Sequence, residues 1–223
     1  LTTRLKVPPI PKAISNNALA DLLQGARFVR DNSLFSSLIA MTFFNSFFGM
    51  SYIALMPVFT VDILGKGATA QGILVSASGA GALLGTASAA MLGTFQKRGW
   101  LILLGGAFSG GFLIAFGLSE WFLLSIGCLF LIGFFQSIYM ISIMTTLQMR
   151  VPDELRGRVM GIYSMTYSIM PLGAMVGGLL ASLASAPFAM VFGGSAVSGF
   201  AFLSGTINRK VRQLRSDSVP SST

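Results

Sequence analysis

The sequence contains no histidine and one cysteine, and charged residues occupy only 10% of its 223 positions. The absence of histidine excludes a serine–histidine protease dyad, a histidine-ligated haem and any zinc site made from cysteine and histidine. Cys128 has no second cysteine to pair with, and we expect it to be a small core residue. We therefore predict no catalytic residue, no metal site and no cofactor.

Charge is too scarce for a soluble domain, which carries about 25% charged residues. Hydrophobic residues make up 53% of the chain, including 19 Phe and 12 Met. Charge-free runs extend over residues 32–61, 67–96, 99–119, 121–149 and 159–208. A bilayer core is crossed by about 20 helical residues, so each of the first four runs predicts one transmembrane helix, and the last run is long enough for two.

These runs predict an all-α membrane protein with six transmembrane helices, at roughly 34–60, 69–94, 100–118, 122–147, 159–183 and 187–207. The last two are separated at "ASLASAPF", because Ser185 and Pro187 favour a turn followed by a helix start. Residues 1–33 are interpreted as a cytoplasmic linker with an amphipathic helix, 34–207 as the membrane domain and 208–223 as a cytoplasmic polar tail. Membrane β-strands would alternate polar and apolar residues, and these runs do not.

The basic residues predict the orientation in the membrane. Of the 15 Lys and Arg residues, all except Lys66 lie before the first predicted helix or after the second, fourth or sixth. The positive-inside rule then places both termini in the cytoplasm, in what we expect to be a bacterial inner membrane. The net charge of +8 is explained by this topology and by anionic lipid headgroups, so no nucleic-acid partner is predicted.

Charge is concentrated in one short stretch, "MRVPDELRGRVMG" at 149–161. Asp153 and Glu154 are suited to the first turn of a helix, where the helix dipole favours acidic residues. Arg156 and Arg158 follow, and Gly157 between them would allow another backbone to approach closely. The stretch is either a solvated anchor that fixes topology or the start of a helix held against another element.

Two segments carry a resemblance to a known family. "LQMRVPDELRGRVMGIYSMTYSIMPLGAMVGGLLA", residues 147–181, resembles the loop and eleventh helix of major facilitator superfamily transporters, especially the branch with enterobactin and macrolide exporters. "ALADLLQGARFVRDNSLF" resembles the amphipathic helix before the seventh helix of that family. Its apolar residues on one face are Leu19, Leu22, Leu23, Ala26 and Val29, so the segment is expected to lie on the membrane surface or under the bundle. The family has twelve helices in two halves, so the resemblance implies that the chain is the second half and that an N-terminal six-helix half is its partner.

The resemblance also implies that the first, second, fourth and fifth helices line a central cavity. Neutral polar side chains share one face on three of these helices, and we predict that they bind substrate: Asn45, Tyr52, Gln136, Tyr139, Tyr163 and Tyr167. Hydrogen bonding between helices is the alternative role for them. Amides, phenols and methionines suit an amphiphilic solute better than a small ion.

A cytoplasmic gate is the second site that the resemblance implies. Family members often carry basic residues and an acid between the second and third helices, whereas "LGTFQKRG" has the basic residues alone. The predicted gate residues are Lys97, Arg98, Asp153, Arg156 and Arg158. The alternative is that the basic residues only anchor the topology.

The resulting hypothesis is the second half of a secondary transporter that exports a hydrophobic or amphiphilic, drug-like or siderophore-like molecule by alternating access. A six-helix membrane scaffold or assembly protein remains the alternative. The predicted helices contain no ionisable residue away from their ends, so any carboxylate for proton coupling is expected in the missing half. Glycine pairs at GxxxG spacing, such as Gly81 with Gly85 and Gly173 with Gly177, are expected to let helices pack closely.

Overall fold

The computed structural model describes residues 18–91 and 98–214, and within these ranges all regular structure is helical. A first helix, α1 (Ala18–Asp31), precedes the membrane domain. The first span, Ser33–Ile63, consists of α2 (Ser33–Phe44), a π-helical turn (Asn45–Gly49), α3 (Tyr52–Val58) and a second π-helical turn (Phe59–Ile63). The second, third and fourth spans are α4 (Ala68–Met91), α5 (Arg98–Gly117) and α6 (Phe122–Arg150). The fifth span, Asp153–Leu183, contains α7 (Asp153–Ser168) and α8 (Met170–Leu183), the sixth is α9 (Ala186–Ile207), and the short helix α10 (Arg209–Arg212) follows.

The six predicted spans are confirmed, because six helices in the described ranges are long and apolar enough to cross a membrane. The predicted start of the fifth span was wrong by six residues. It begins at Asp153 instead of 159, since Asp153 and Glu154 complement the positive end of the helix dipole in the first turn. Only Val151 and Pro152 separate it from α6, and the charged stretch is thus largely helical. The predicted end of the second span, at 94, lies outside the described residues.

The predicted break between the last two spans is confirmed. α8 ends at Leu183, and α9 begins at Ala186 with Pro187 in its first turn. The Ser185 hydroxyl accepts a hydrogen bond of 3.2 Å from the Phe188 amide and so caps α9. Serine and proline therefore divide one long apolar run into two antiparallel spans.

Glycines set the closest helix contacts. α4 packs along α6, and a methyl group at Gly81 or Gly85 would overlap the carbonyl of Phe130 or Phe134. A methyl group at Gly133 on α6 would overlap the carbonyl of Ser78 on α4. The predicted packing role of the Gly81 and Gly85 pair is confirmed.

Helix α1 packs against α7 through a face that includes Val29 of the predicted apolar face but not its leucines. Gly25 and Val29 are buried, and a Cβ atom at Gly25 would lie 3.1 Å from the Cβ of Arg158. Leu23 is instead 58% exposed, and Leu22 is also exposed. The predicted close approach at Gly157 was wrong, because nothing lies within 4 Å of a Cβ atom there. The close approach is at Gly25, so the small residue lies on α1 and not on the charged stretch.

Candidate functional site

Three of the six predicted substrate residues come together in one apolar core. Tyr139 and Tyr163 are 2% and 6% exposed, and Tyr167 packs against the same cluster. The hydroxyl oxygens of Tyr163 and Tyr167 are 2.9 Å apart and share a hydrogen bond. Their rings meet edge to face with centroids 5.4 Å apart. This arrangement leaves Tyr167, the half-buried member, as the one nearest to the surface of the bundle.

Two further predicted residues, Asn45 and Gln136, line one narrow cleft between the first, third, fourth and sixth spans. The cleft is too narrow to hold a water molecule. Gly49 leaves room for the amide, since a Cβ atom at Gly49 would lie 2.9 Å from Asn45 Oδ1. Gln136 is half-buried, so it is the more exposed of the two amides in the cleft.

Asn45 is 1% exposed, and both Nδ2 and Oδ1 lack a hydrogen-bond partner. The hydroxyl of neighbouring Ser46, 0% exposed, is also without a partner. An unpaired buried polar group costs about 1–3 kcal/mol, so this region of the first span carries an unfavourable arrangement. Both residues belong to the π-helical turn Asn45–Gly49, and such turns are frequent at functional sites.

Tyr52 lies apart from the other five residues. It belongs to a second buried cluster with Met56 and Phe59, and its hydroxyl interacts with Ser78 of α4. The structure therefore divides the predicted set into a tyrosine cluster, an amide-lined cleft and a separate Tyr52. The sequence did not point to Ser46 or to Ser109, because serine in an apolar helix is too common to indicate a site. Ser109 adds a hydroxyl to the cleft lining.

Four of the five predicted gate residues lie at the end of the bundle where α1, α10 and most of the basic residues that the structure describes are found, which we call the basic end. Lys97 lies outside the described residues. Arg98 Nη1 donates to Met149 Sδ at 2.9 Å, and Arg98 lies near Arg150. Asp153 and Arg156 form an ion pair one turn apart on α7, with 2.5 Å between Oδ1 and Nη2.

Arg158 forms the contact that joins two elements at the basic end. Its Nη2 atom is 2.5 Å from Asp21 Oδ1 on α1, and both side chains are largely buried, with 26% and 28% exposed. Asp21 was missed as a partner because it is distant in sequence and lies in a helix interpreted from its leucines. The charged stretch is thus the start of a helix held against another element, as one of the two sequence interpretations proposed.

Comparisons with known proteins agree with this architecture. The model of a family described as "Transmembrane secretion effector" matches residues 3–223. The chain is 28% identical over 161 residues to the enterobactin exporter EntS of Shigella flexneri. That alignment includes 71% of this chain and covers 37% of the exporter's length, so it leaves most of the exporter unmatched.

Proposed function

We propose that this chain exports a hydrophobic or amphiphilic small molecule by alternating access. The proposal starts from its family, because the chain belongs to the transmembrane secretion effector family of the major facilitator superfamily. Family membership and the six apolar spans support a role as a multi-pass membrane transporter. The similar exporter is named for enterobactin, which favours a siderophore-like or drug-like substrate for this chain. The family match also favours transport over the scaffold alternative.

The unpartnered Asn45 amide is the observation that carries this proposal. Its cleft is closed to water, and the amide has no partner in this conformation. A conformation that widens the cleft would let water or a substrate reach Asn45 past Gln136, and the hydrogen bonds gained would offset part of the cost of opening. Gln136 and Tyr167 are proposed as direct substrate contacts, with Tyr163 positioning Tyr167. Tyr139 and Tyr52 are proposed to contact substrate only in the opened state.

The proposed partner is a second six-helix bundle that this chain faces across the central cavity. The second and fifth spans are the least covered, with 22% and 17% of their most apolar segments buried. Their exposed residues include Gly72, Ser76 and Gly79 on α4, and Ser164 and Ser168 on α7. Small and hydroxyl residues favour contact with another helix over contact with lipid chains.

The orientation is proposed from charge. The basic end carries Arg98, Arg150, Arg156 and Arg158, whereas Lys66 at the opposite end lies 5.8 Å from the ring of Phe122. We propose that the basic end faces the cytoplasm of a bacterial cell and that the gate residues act there.

Transport by a Gln136→Ala variant tests the proposal. We expect a changed apparent affinity or substrate preference, because an amide that contacts the substrate is lost, with an unchanged pH dependence, because no titrating group is removed. Gln148→Ala is the matched control, since Gln148 is exposed on the same helix and outside the cleft. If both variants transport as the parent protein does, Gln136 makes no substrate contact and the site is misplaced.

A further inference from the structure

A groove of about 430 Å³ opens at the basic end between the start of the first span and the end of the sixth. Its lining combines Arg30, Ser33 and Ser36 with Phe200, Leu203 and Ile207. It is separate from the Asn45 cleft, with which it shares no lining residue.

The polar part of the groove is held in place by Asn208. The Asn208 Nδ2 group donates to the Ser33 carbonyl at 2.8 Å and to Ser37 Oγ at 2.9 Å, which ties the end of the sixth span to the first. In the described part of the chain, the hydroxyls of Ser33 and Ser36 form no hydrogen bond with a protein group. They are available to a ligand.

Arg30 gives this polar part its charge. Its side chain is 79% exposed, and its Nε lies 3.5 Å from Asp31 Oδ1, which leaves the guanidinium NH₂ groups free for another acceptor. Arg209 and Lys210 follow Asn208 directly and are exposed. The charge of Arg30 in the lining, with two further positive residues directly after Asn208 in the sequence, favours an anionic ligand.

The remaining lining is apolar and faces outward. Leu203 and Ile207 are 49% and 74% exposed, and the Phe200 ring stacks on Phe44 with centroids 4.2 Å apart. Ser33 begins one span and Ile207 ends another, so the polar part lies where a bilayer has its headgroups and the apolar part lies deeper.

From this order of groups we infer that the groove binds one anionic phospholipid of the surrounding leaflet. The phosphate lies against Arg30 and the hydroxyls of Ser33 and Ser36, and an acyl chain runs along Leu203 and Phe200. Such a lipid would pack between the first and sixth spans where Asn208 joins them.

Quenching of a tryptophan placed in the groove tests the inference. Trp100 and Trp121 are replaced by Phe, and Leu203→Trp is introduced into the whole protein in phosphatidylcholine vesicles. Phosphatidylglycerol or phosphatidylcholine with brominated chains is then added at equal mole fraction, and the signal of the protein without the introduced tryptophan is subtracted. We expect brominated phosphatidylglycerol to quench more strongly at low mole fraction, and Arg30→Gln to reduce its relative affinity about fivefold.

Phe202→Trp is the matched control, because Phe202 is the adjacent residue, is 73% exposed and lies outside the groove. There the two lipids should quench equally. Equal quenching by the two lipids at position 203 would overturn the inference. A preference for phosphatidylglycerol that survives Arg30→Gln, or one that millimolar inorganic phosphate abolishes, would also overturn it. Absence of quenching by either lipid at 203 would show that protein fills the groove. Since Arg30 is exposed, unchanged thermal stability of Arg30→Gln is expected and checks the fold.

Discussion

At the scale of single residues, Asn45 combines complete burial with unsatisfied hydrogen-bonding groups in a cleft that excludes water. The sequence could predict that Asn45 faces inward, because Asn45, Gly49 and Tyr52 recur at helical spacing. It could not predict the missing partners. Whether the Asn45 amide has a hydrogen-bond partner depends on where Gln136 and Ser109 lie, and distant parts of the chain bring these two residues to the same cleft.

Replacement of Asn45 by Leu, which has a similar volume, should therefore raise stability and reduce transport. The variant removes two unpaired polar atoms from a fully buried position, and we expect a gain of about 1 kcal/mol in the free energy of unfolding. Thermal denaturation in detergent and transport in vesicles are the two measurements. Thr42→Val is the control, since the Thr42 hydroxyl already donates to the Leu38 carbonyl at 3.0 Å and its loss should not stabilise the protein. A stabilised Asn45→Leu variant with full transport would separate Asn45 from function.

At the scale of helices, the pair α4 and α6 depends on glycine. Gly133→Ala places a methyl group on the Ser78 carbonyl and should destabilise the protein by about 1–3 kcal/mol, measured by thermal denaturation. Gly127→Ala on the same helix meets nothing within 4 Å and should be neutral or stabilising, because alanine favours helix more than glycine does. Equal effects of the two substitutions would contradict the observed contact.

Helix α1 shows what helical periodicity leaves open. The leucine spacing predicts an apolar face that lies on the membrane surface or under the bundle, and it does not indicate that the face packed on α7 contains Asp21, Gly25 and Val29. The ion pair from Asp21 to Arg158 joins residues far apart in the chain, and helical periodicity carries no information about such a pair. Leu22 and Leu23 remain exposed and suit a membrane surface. The spans themselves were predictable, because each needs only a sufficient length of apolar sequence.

The Asp21–Arg158 pair should couple α1 to the fifth span. A spin label is attached to α1 through Gln24→Cys, with Cys128 replaced by Ala. Arg158→Gln should increase the mobility of this label and should lower transport at normal expression. Arg156→Gln is the control for label mobility, which it should leave unchanged because Arg156 pairs with Asp153 inside its own helix. Exchange of the charges, Asp21→Arg with Arg158→Asp, should restore both readouts in part. Equal label mobility in the two single variants would contradict the coupling through Asp21, and unchanged transport in Arg158→Gln would leave Arg158 with a role as topology anchor only.

At the scale of the whole molecule, the basic end and the Lys66 end should lie on opposite sides of the membrane. Gly157 and Gly67 are exposed, and nothing lies within 4 Å of a Cβ atom at either position, so both accept cysteine without strain. With Cys128 replaced by Ala, Gly157→Cys should react only with reagents on the cytoplasmic side and Gly67→Cys only from outside. Labelling of both from one side would contradict the antiparallel order of the six spans.

The distribution of acids leads to the last prediction, which concerns energy coupling. A proton-driven exporter needs a group that binds and releases a proton as the cavity alternates between the two sides, and a carboxylate within the membrane is the usual one. In the spans and connections that the structure describes, the acids are Asp62 and Glu120 at one end and Asp153 and Glu154 at the other, all exposed. An exposed carboxylate at a helix end stays in contact with one aqueous phase, so it cannot carry a proton between the two sides. Replacement of each acid by its amide should leave the pH dependence of transport unchanged, measured in vesicles under an imposed pH gradient. An amide variant that inserts normally but transports independently of pH would show that proton coupling resides in this chain. The chain would then contribute a proton site to transport as well as the neutral amides and phenols of its interior.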